Sequence, residues 1–443
     1  MNDLSIKFEK QGTLSTILKF SVPSSFGAII GMLCVLTDRF FIGQVAGRAG
    51  MAAVALVFPY AMIINSFNFA FSGIAIIIGV KLGSNDRDGA EQILCTGFVW
   101  IIIVGFLLSI FLWSFNIPIL RYLGASDSII PFAKKYTSFL IPVAIFQMIL
   151  GQSTLIRGIG DSVTAMGVNI FTGVLNVILD YIFILKFGMG IQGASLATFI
   201  ATLLSALYVL YYFTKSDIIN FSKKNCSLNL KILKEIFRIG SPRFYNQLLQ
   251  SSVITVTNKQ AGIYGGDIAT AAIGIISICR SVMNTSLQGF NQGTAAIISY
   301  NFGSNNFKRV KDVLKIQLYT VVSVSFVLVV LMLTNTETIV SFFIKNDPTL
   351  VDFTVSSMRI NLFLMPFTAI FLACNNFFQS IKENVIATRF FVARIIVLNI
   401  PLVYILGHFF QETGVWLAFP IADTTVAIVL FFLTLKKIKS LKS

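Results

Sequence analysis

Three carboxylates fall inside stretches that are otherwise apolar: Asp38 in MLCVLTDRFFIG, Asp180 in TGVLNVILDYIFI and Asp423 in AFPIADTTVAIVL. An ionisable group in such a setting is expensive to keep and usually carries function. Asn176 precedes Asp180 by four residues, which places amide and carboxylate one above the other on a single helix face. The connection KFGMGIQG is short enough to fold the next segment, GASLATFIA, straight back, so Thr198 comes to a depth comparable with Asp180. Asp38, Asn176, Asp180 and Thr198 together offer two carboxylates, an amide oxygen and a hydroxyl. Hard oxygen donors without imidazole or thiolate suit Na⁺, or a proton shared between the carboxylates. The competing reading is that each polar group bonds a neighbouring helix and nothing more. Arg39 follows Asp38, but successive helical residues do not face each other, so Asp38 needs a different partner or a proton. Asp423 either draws cationic substrates into a cavity or pairs with Arg394 or Arg359, and pairing is the favoured expectation.

The usual apparatus of an enzyme is missing. The chain has no G-x-x-x-x-G-K-[ST] loop to hold ATP. His408 is the one histidine and by itself makes neither a metal site nor a triad. Cys34, Cys95, Cys226, Cys279 and Cys374 are scattered without a C-x-x-C pair, so neither a disulfide framework nor zinc is expected. No cofactor is expected beyond Na⁺ or H⁺ as a coupling ion.

The elements that must carry these residues follow from composition. Hydrophobic residues make up 56% of the chain and charged ones 12%, with a mean hydropathy of +0.82. Since about 20 apolar residues cross a bilayer, the chain reads as twelve spans, near 17–44, 53–80, 94–115, 136–156, 164–185, 192–213, 241–263, 268–299, 316–341, 353–378, 389–409 and 413–435. The longest polar stretch, 214–240, separates six from six. Residues 73–94 (GIAIIIGVKLGSNDRDGAEQIL) and 293–314 (GTAAIISYNFGSNNFKRVKDVL) are copies of one pattern 220 positions apart, with Gly73/Gly293, Gly83/Gly303, Ser84/Ser304 and Asn85/Asn305 coinciding. The expected fold is therefore an all-α integral membrane protein of twelve transmembrane helices in two pseudo-symmetric six-helix lobes, 1–213 and 241–443, joined by the 214–240 link. Gly83 and Gly303 are expected to supply a left-handed or tightly turned backbone where their helices end.

The net charge of +15 would suggest nucleic acid if it were not distributed by topology. Lysine and arginine gather at the N-terminus, in 81–91, in 214–240, in 308–315 and in the tail, whereas the opposite loops hold Arg48, Arg121, Lys134, Lys135, Lys186 and Lys345. That bias puts both termini and the link in the cytoplasm, with anionic lipid headgroups rather than nucleic acid as the partner of the basic surface. No cleavable signal precedes the first span, so the chain is expected to insert directly into the cytoplasmic (inner) membrane.

Several of these features resemble one family. LTDRFFIG followed by AG-x-x-G, Pro59 in span 2, the repeated Gly-Ser-Asn ends of spans 2 and 8, RGIGDS after span 4, and LNVILDYIFI with GIQGASLAT are similar to the multidrug and toxic compound extrusion (MATE) family, over essentially the whole chain. The resemblance implies a monomeric antiporter that expels bulky lipophilic, often cationic compounds in exchange for Na⁺ or H⁺. One branch keeps its essential acids in the N-terminal lobe, at positions matching Asp38, Asn176, Asp180 and Thr198. Another uses acids in spans 7 and 10, which here have none. The repeat carries the same asymmetry, for Asn258 aligns with Asp38 and Val403 with Asp180. The alternative is a flippase for a lipid-linked oligosaccharide, for which Arg243, Lys259 and Arg280 would meet a pyrophosphate. The 43 Phe and 11 Met suit a plastic cavity for flat cations, but they serve equally well against lipid.

Overall fold

A bilayer offers the backbone no water to bond, so a chain this apolar must close its hydrogen bonds within helices or a barrel. The computed structural model describes residues 8, 11–45, 47–123, 125, 127, 129–221, 227–343 and 348–441, and among them there are helices and no strands. Span 1 is Thr13–Val45. Span 2 runs as Gly47–Phe71 and, past a break at Ser72, Gly73–Gly83. Span 3 is Arg87–Ser114. Span 4 is bent by 46° between Ile130–Leu140 and the helices Val143–Gly151 and Ser153–Gly158. Span 5 is Ser162–Asp180, which continues as a π-helix over Tyr181–Lys186, and span 6 is Gly190–Lys215.

The second half repeats the plan with fewer interruptions. Leu230–Gly303 is a 74-residue helix that turns back at Gly266, where φ is 61° and ψ −151°. Unbroken, it would run about 110 Å, several times the hydrocarbon thickness of a bilayer. The turn divides it into span 7 (230–265) and span 8 (267–303). Span 9 is Phe307–Thr334, and span 10 combines Pro348–Leu362 with Met365–Ser380 across a 40° bend. Asn384–Val392, the π-helix Ala393–Asn399 and the start of Ile400–Ser440 make span 11. A reversal at Gln411 (φ 54°, ψ −135°) begins span 12. Seven helices of the described residues are long and apolar enough to cross a membrane, or nine with each bent pair taken as one span. Dividing Asn384–Ser440 at Gln411 makes ten, and the two arms of Leu230–Gly303, which are not among the nine, complete the twelve expected.

Packing groups the chain into two compact units, Phe26–Gln247 on the one hand and Met1–Ser25 with Leu248–Ser443 on the other. These units do not coincide with a division at 214–240, because the starts of spans 1 and 7 each pack with helices of the other sequence half. Glycine makes this possible. A β-carbon on Gly289 would stand 2.6 Å from the Ser25 Cα, and one on Gly293 2.5 Å from the Ser21 Cα. Gly73 lies against the Ile236 carbonyl, and Gly240 against the Ala70 carbonyl, again with no room for a β-carbon. Gly73 and Gly293, paired by the sequence repeat, thus do the same work in the two units.

One turn recurs four times, after spans 2, 4, 8 and 10. Its left-handed residue is Asn85 (φ 59°), Gly160 (91°), Asn305 (57°) or Lys382 (63°). The next N–H reaches five residues back, from Asp86 to Lys81 at 2.9 Å, Asp161 to Ile156 at 3.1 Å, Asn306 to Asn301 at 2.9 Å and Glu383 to Phe378 at 2.8 Å. This is the Schellman closure of a helix end. Asp86, Asp161 and Asn306 then cap the following helix by accepting from the Gly89, Thr164 and Arg309 N–H groups. The left-handed position is therefore not at Gly83 and Gly303, as the sequence suggested. Those glycines are still in the last helical turn, and asparagine, which tolerates positive φ better than most residues, takes the strained place two residues later. A hydrogen bond from Lys81 Nζ, 2.6 Å from Oδ2, and then the Gly89 N–H hold the Asp86 carboxyl below its ordinary range.

Candidate functional site: two carboxylates between spans 1 and 5

Spans 1 and 5 run in the same direction, and the residue pairs along them show how closely. Gly27 faces Asn169 with 3.4 Å from an ideal β-carbon position to its amide nitrogen, and Gly173 is in contact with the Cys34 sulfur. Further along, Ile42 and Ile184 join Ile191 and Ala194 in an apolar cluster, with Phe41, Val54 and Tyr136 packed around it. Asp38 lies four residues before Ile42 and four after Cys34. Asp180 lies four before Ile184, and Thr198 four after Ala194. Residues four apart share a helix face, so these three polar side chains come to one level, just short of the apolar cluster that closes one side.

Asp180 is completely buried and Asp38 partly so. Neither oxygen of Asp180 makes a hydrogen bond. The Asp38 carboxylate is near enough to act on it electrostatically, and Asp180 acts likewise on the Cys34 thiol. Asn176 Nδ2 donates to Thr198 Oγ1 at 3.3 Å, and Thr198 Oγ1 donates to the Ala194 carbonyl at 3.1 Å. The Thr198 hydroxyl is thus engaged on both sides, and its part is to hold the amide whose Oδ1 remains as an acceptor. Immediately after Asp180 the helix changes from α to π. Such a change of pitch frees carbonyls from the regular ladder and recurs at functional sites.

The four residues singled out from the sequence therefore lie on spans 1, 5 and 6 of one compact unit. The sequence reading missed the apolar cap of Ile42, Ile184, Ile191 and Ala194 and the close Gly173–Cys34 approach. The i+4 spacing of those isoleucines from the two acids was the available signal. Two carboxylates with neutral oxygens fit a proton or a small hard cation. Among the described residues no three His, Cys, Asp or Glu side chains come together, as a transition-metal centre would require.

Among the described residues the second half shows no counterpart of this site. Asn258 is exposed, and Val403 is fully buried in the apolar core of its unit. Asp423 is instead bound by Arg394, with Nε to Oδ1 at 2.6 Å and Nη2 to Oδ2 at 2.8 Å, and accepts from Thr368 Oγ1 at 2.6 Å. Of the two partners considered for Asp423, Arg394 is the one it has. Arg359 lies 3.9 Å from Glu337 at the surface.

Comparison with known proteins bears on the family and the fold. The MatE family model matches residues 23–182 and 242–405, well over half of the chain. The multidrug export protein MepA of Staphylococcus saprophyticus is 26% identical over 426 residues, covering 95% of this chain and 93% of its own. MepA of Staphylococcus haemolyticus is 25% identical over 431 residues, covering 96% and 94%. Among solved structures, an outward-facing multidrug-resistance MATE transporter of the MOP superfamily superposes with a TM-score of 0.93 at 22% identity, over 100% of this chain and 99% of that one. A MATE protein in a bent conformation gives 0.91 at 22%, over 100% and 98%. The chain belongs to the MatE (multidrug and toxic compound extrusion) family of multi-pass membrane transporters.

Proposed function

We propose that the protein is a cation-coupled multidrug exporter, which expels lipophilic, often cationic compounds across the cytoplasmic membrane in exchange for Na⁺ or H⁺ by alternating access. It would work as a monomer, with both termini in the cytoplasm and its basic loops against anionic headgroups. The observation that carries the coupling is Asp180, fully buried and without a hydrogen bond, beside a second carboxylate. Two neighbouring carboxylates removed from water must be neutralised, and a proton or Na⁺ entering the same pocket does this in competing ways.

Asp38, on span 1, and Asp180, at the α-to-π change in span 5, draw the two helices together when a cation lies between them and repel when it leaves. Asn176, held by Thr198, adds a neutral oxygen that does not repel. Transport is coupled only if cation and drug favour different packings of these helices. The MepA relatives, named as multidrug export proteins, support small-molecule drugs as cargo rather than a lipid-linked oligosaccharide.

The test is ethidium efflux from proteoliposomes holding the purified protein, with Na⁺ and pH gradients imposed separately. Efflux that follows either gradient and disappears when both are collapsed is expected. Efflux indifferent to both would remove the antiport reading.

A further inference from the structure

A second polar cluster, of the opposite sign, lies in the unit that contains spans 8 to 12. Asp423 is matched by Arg394 through two hydrogen bonds and further fixed by Thr368. Arg394 also lies 5.0 Å from the centroid of the Phe371 ring. Arg280, on span 8, stands in the same electrostatic neighbourhood, attracted by Asp423 and repelled by Arg394. Among the described residues Arg280 makes no hydrogen bond and no ion pair. Its guanidinium stacks on Phe419, 4.3 Å from the ring centroid, and the residue is only partly exposed.

The charges of this cluster do not balance. Two guanidiniums face one carboxylate, and a guanidinium does not shed its proton in a protein. Stacking on Phe419 covers one face of Arg280 but leaves its in-plane N–H donors open. Donors that no protein group engages are available to a ligand that can accept from them, and a charged acceptor is the strongest such partner. A planar fork suits a carboxylate, which takes two parallel N–H bonds. The ring beside it suits the flat apolar body that such a carboxylate would bring.

We propose that this unit holds a binding site for the carboxylate of an aromatic amphiphile, with Arg280 as anchor, Phe419 as platform and the Arg394–Asp423–Thr368 group as a fixed wall. Among exported compounds, those that carry a carboxylate on a flat ring would engage this site. That consequence rests on the export reading, but the site itself is tested by binding alone.

A rhodamine carboxylate and its methyl ester differ in the one group at issue. Binding of each to the purified full-length protein is followed by fluorescence polarisation. Arg280→Gln should weaken the acid about tenfold or more and leave the ester within about twofold. Phe419→Leu should weaken both. With the unaltered protein, naphthoate should displace the acid dye whereas naphthylmethylamine should not, a comparison that does not depend on any variant folding. Equal losses for acid and ester in Arg280→Gln, no loss for either, or displacement by amine as readily as by acid would each overturn the site. If the acid binds as described while ethidium efflux ignores both gradients, the site stands and the antiport reading falls.

Discussion

Gly173 of span 5 packs directly on the Cys34 sulfur of span 1, about one helical turn before Asp38 and two before Asp180. This contact sets how near the two carboxylates come, since any side chain at 173 would push the helices apart. Gly173→Ala should lower the thermal midpoint of the detergent-solubilised protein, by about 1–3 kcal/mol in stability. Adding Cys34→Ala removes the obstructing sulfur, and the double variant should then match or exceed the parent because alanine is the better helix former. A double variant no more stable than Gly173→Ala alone would show that the sulfur is not what the glycine accommodates.

The turns between spans 5 and 6 and between spans 11 and 12 correspond, and they differ in how they meet the same demand. Gly190 has φ 58° and Gln411 φ 54°. At Gln411 the chain asks a residue with a β-carbon to adopt a conformation that glycine takes readily, at a cost on the order of 1–3 kcal/mol. Gln411→Gly should raise the thermal midpoint by a few degrees without altering efflux, whereas Gly190→Gln should lower it. No rise for Gln411→Gly would mean that the surrounding helices favour that conformation by other means.

Much of this architecture could be read from residue types. Twelve apolar runs with breakers between them, a basic bias on one set of loops and a duplicated Gly-Ser-Asn end suffice for two six-helix repeats. The quartet Asp38, Asn176, Asp180 and Thr198 was legible because oxygen-bearing side chains stand out among Leu, Ile and Phe. What lay beyond the sequence was three-dimensional. The π-helix over Tyr181–Lys186 has no compositional mark, since YIFILK would read equally well as α-helix. The extension of the Asn85 and Asn305 turn to Gly160 and Lys382 was hidden because the fold demands a backbone conformation there and not a residue. The placement of span 1's start with spans 8 to 12 depends on glycines meeting backbone more than 260 residues away, as Ser25 and Ser286 do through a 3.1 Å hydrogen bond.

That exchange has a symmetric consequence. Gly73 meets the Ile236 carbonyl, and Gly293 meets the Ser21 Cα and the Phe20 carbonyl. Backbone lies on the far side of both contacts, so neither neighbour can rotate away as a side chain would. Gly73→Val and Gly293→Val should therefore each reduce the amount of folded protein recovered from membranes, and to similar extents. A loss at one position alone would break the equivalence of the two repeats at this contact, and fluorescence-detected size exclusion of tagged variants is sufficient to see it.

Asp38 and Asp180 provide the decisive test of coupling. The Asp→Asn change keeps the size and one acceptor oxygen but removes the charge that a cation must balance. Since the two acids share one pocket, Asp38→Asn and Asp180→Asn should each abolish gradient-driven efflux, while both proteins remain folded in the membrane. Stability should not fall in parallel, because a buried carboxylate with no hydrogen bond is itself unfavourable; Asp180→Asn is expected to be neutral or mildly stabilising in detergent. Asn258→Ala, at the position the repeat aligns with Asp38, should leave efflux nearly intact because that residue is exposed. Thr198→Val should fall between, slowing efflux by loosening Asn176, whose amide donates to that hydroxyl. In the parent protein, protons and Na⁺ should compete: at fixed internal ethidium, raising external acidity should raise the Na⁺ concentration needed for half-maximal efflux. Vigorous gradient-driven efflux from the double Asp38→Asn, Asp180→Asn variant would end this mechanism, for no other carboxylate lies in the described part of spans 1, 5 and 6.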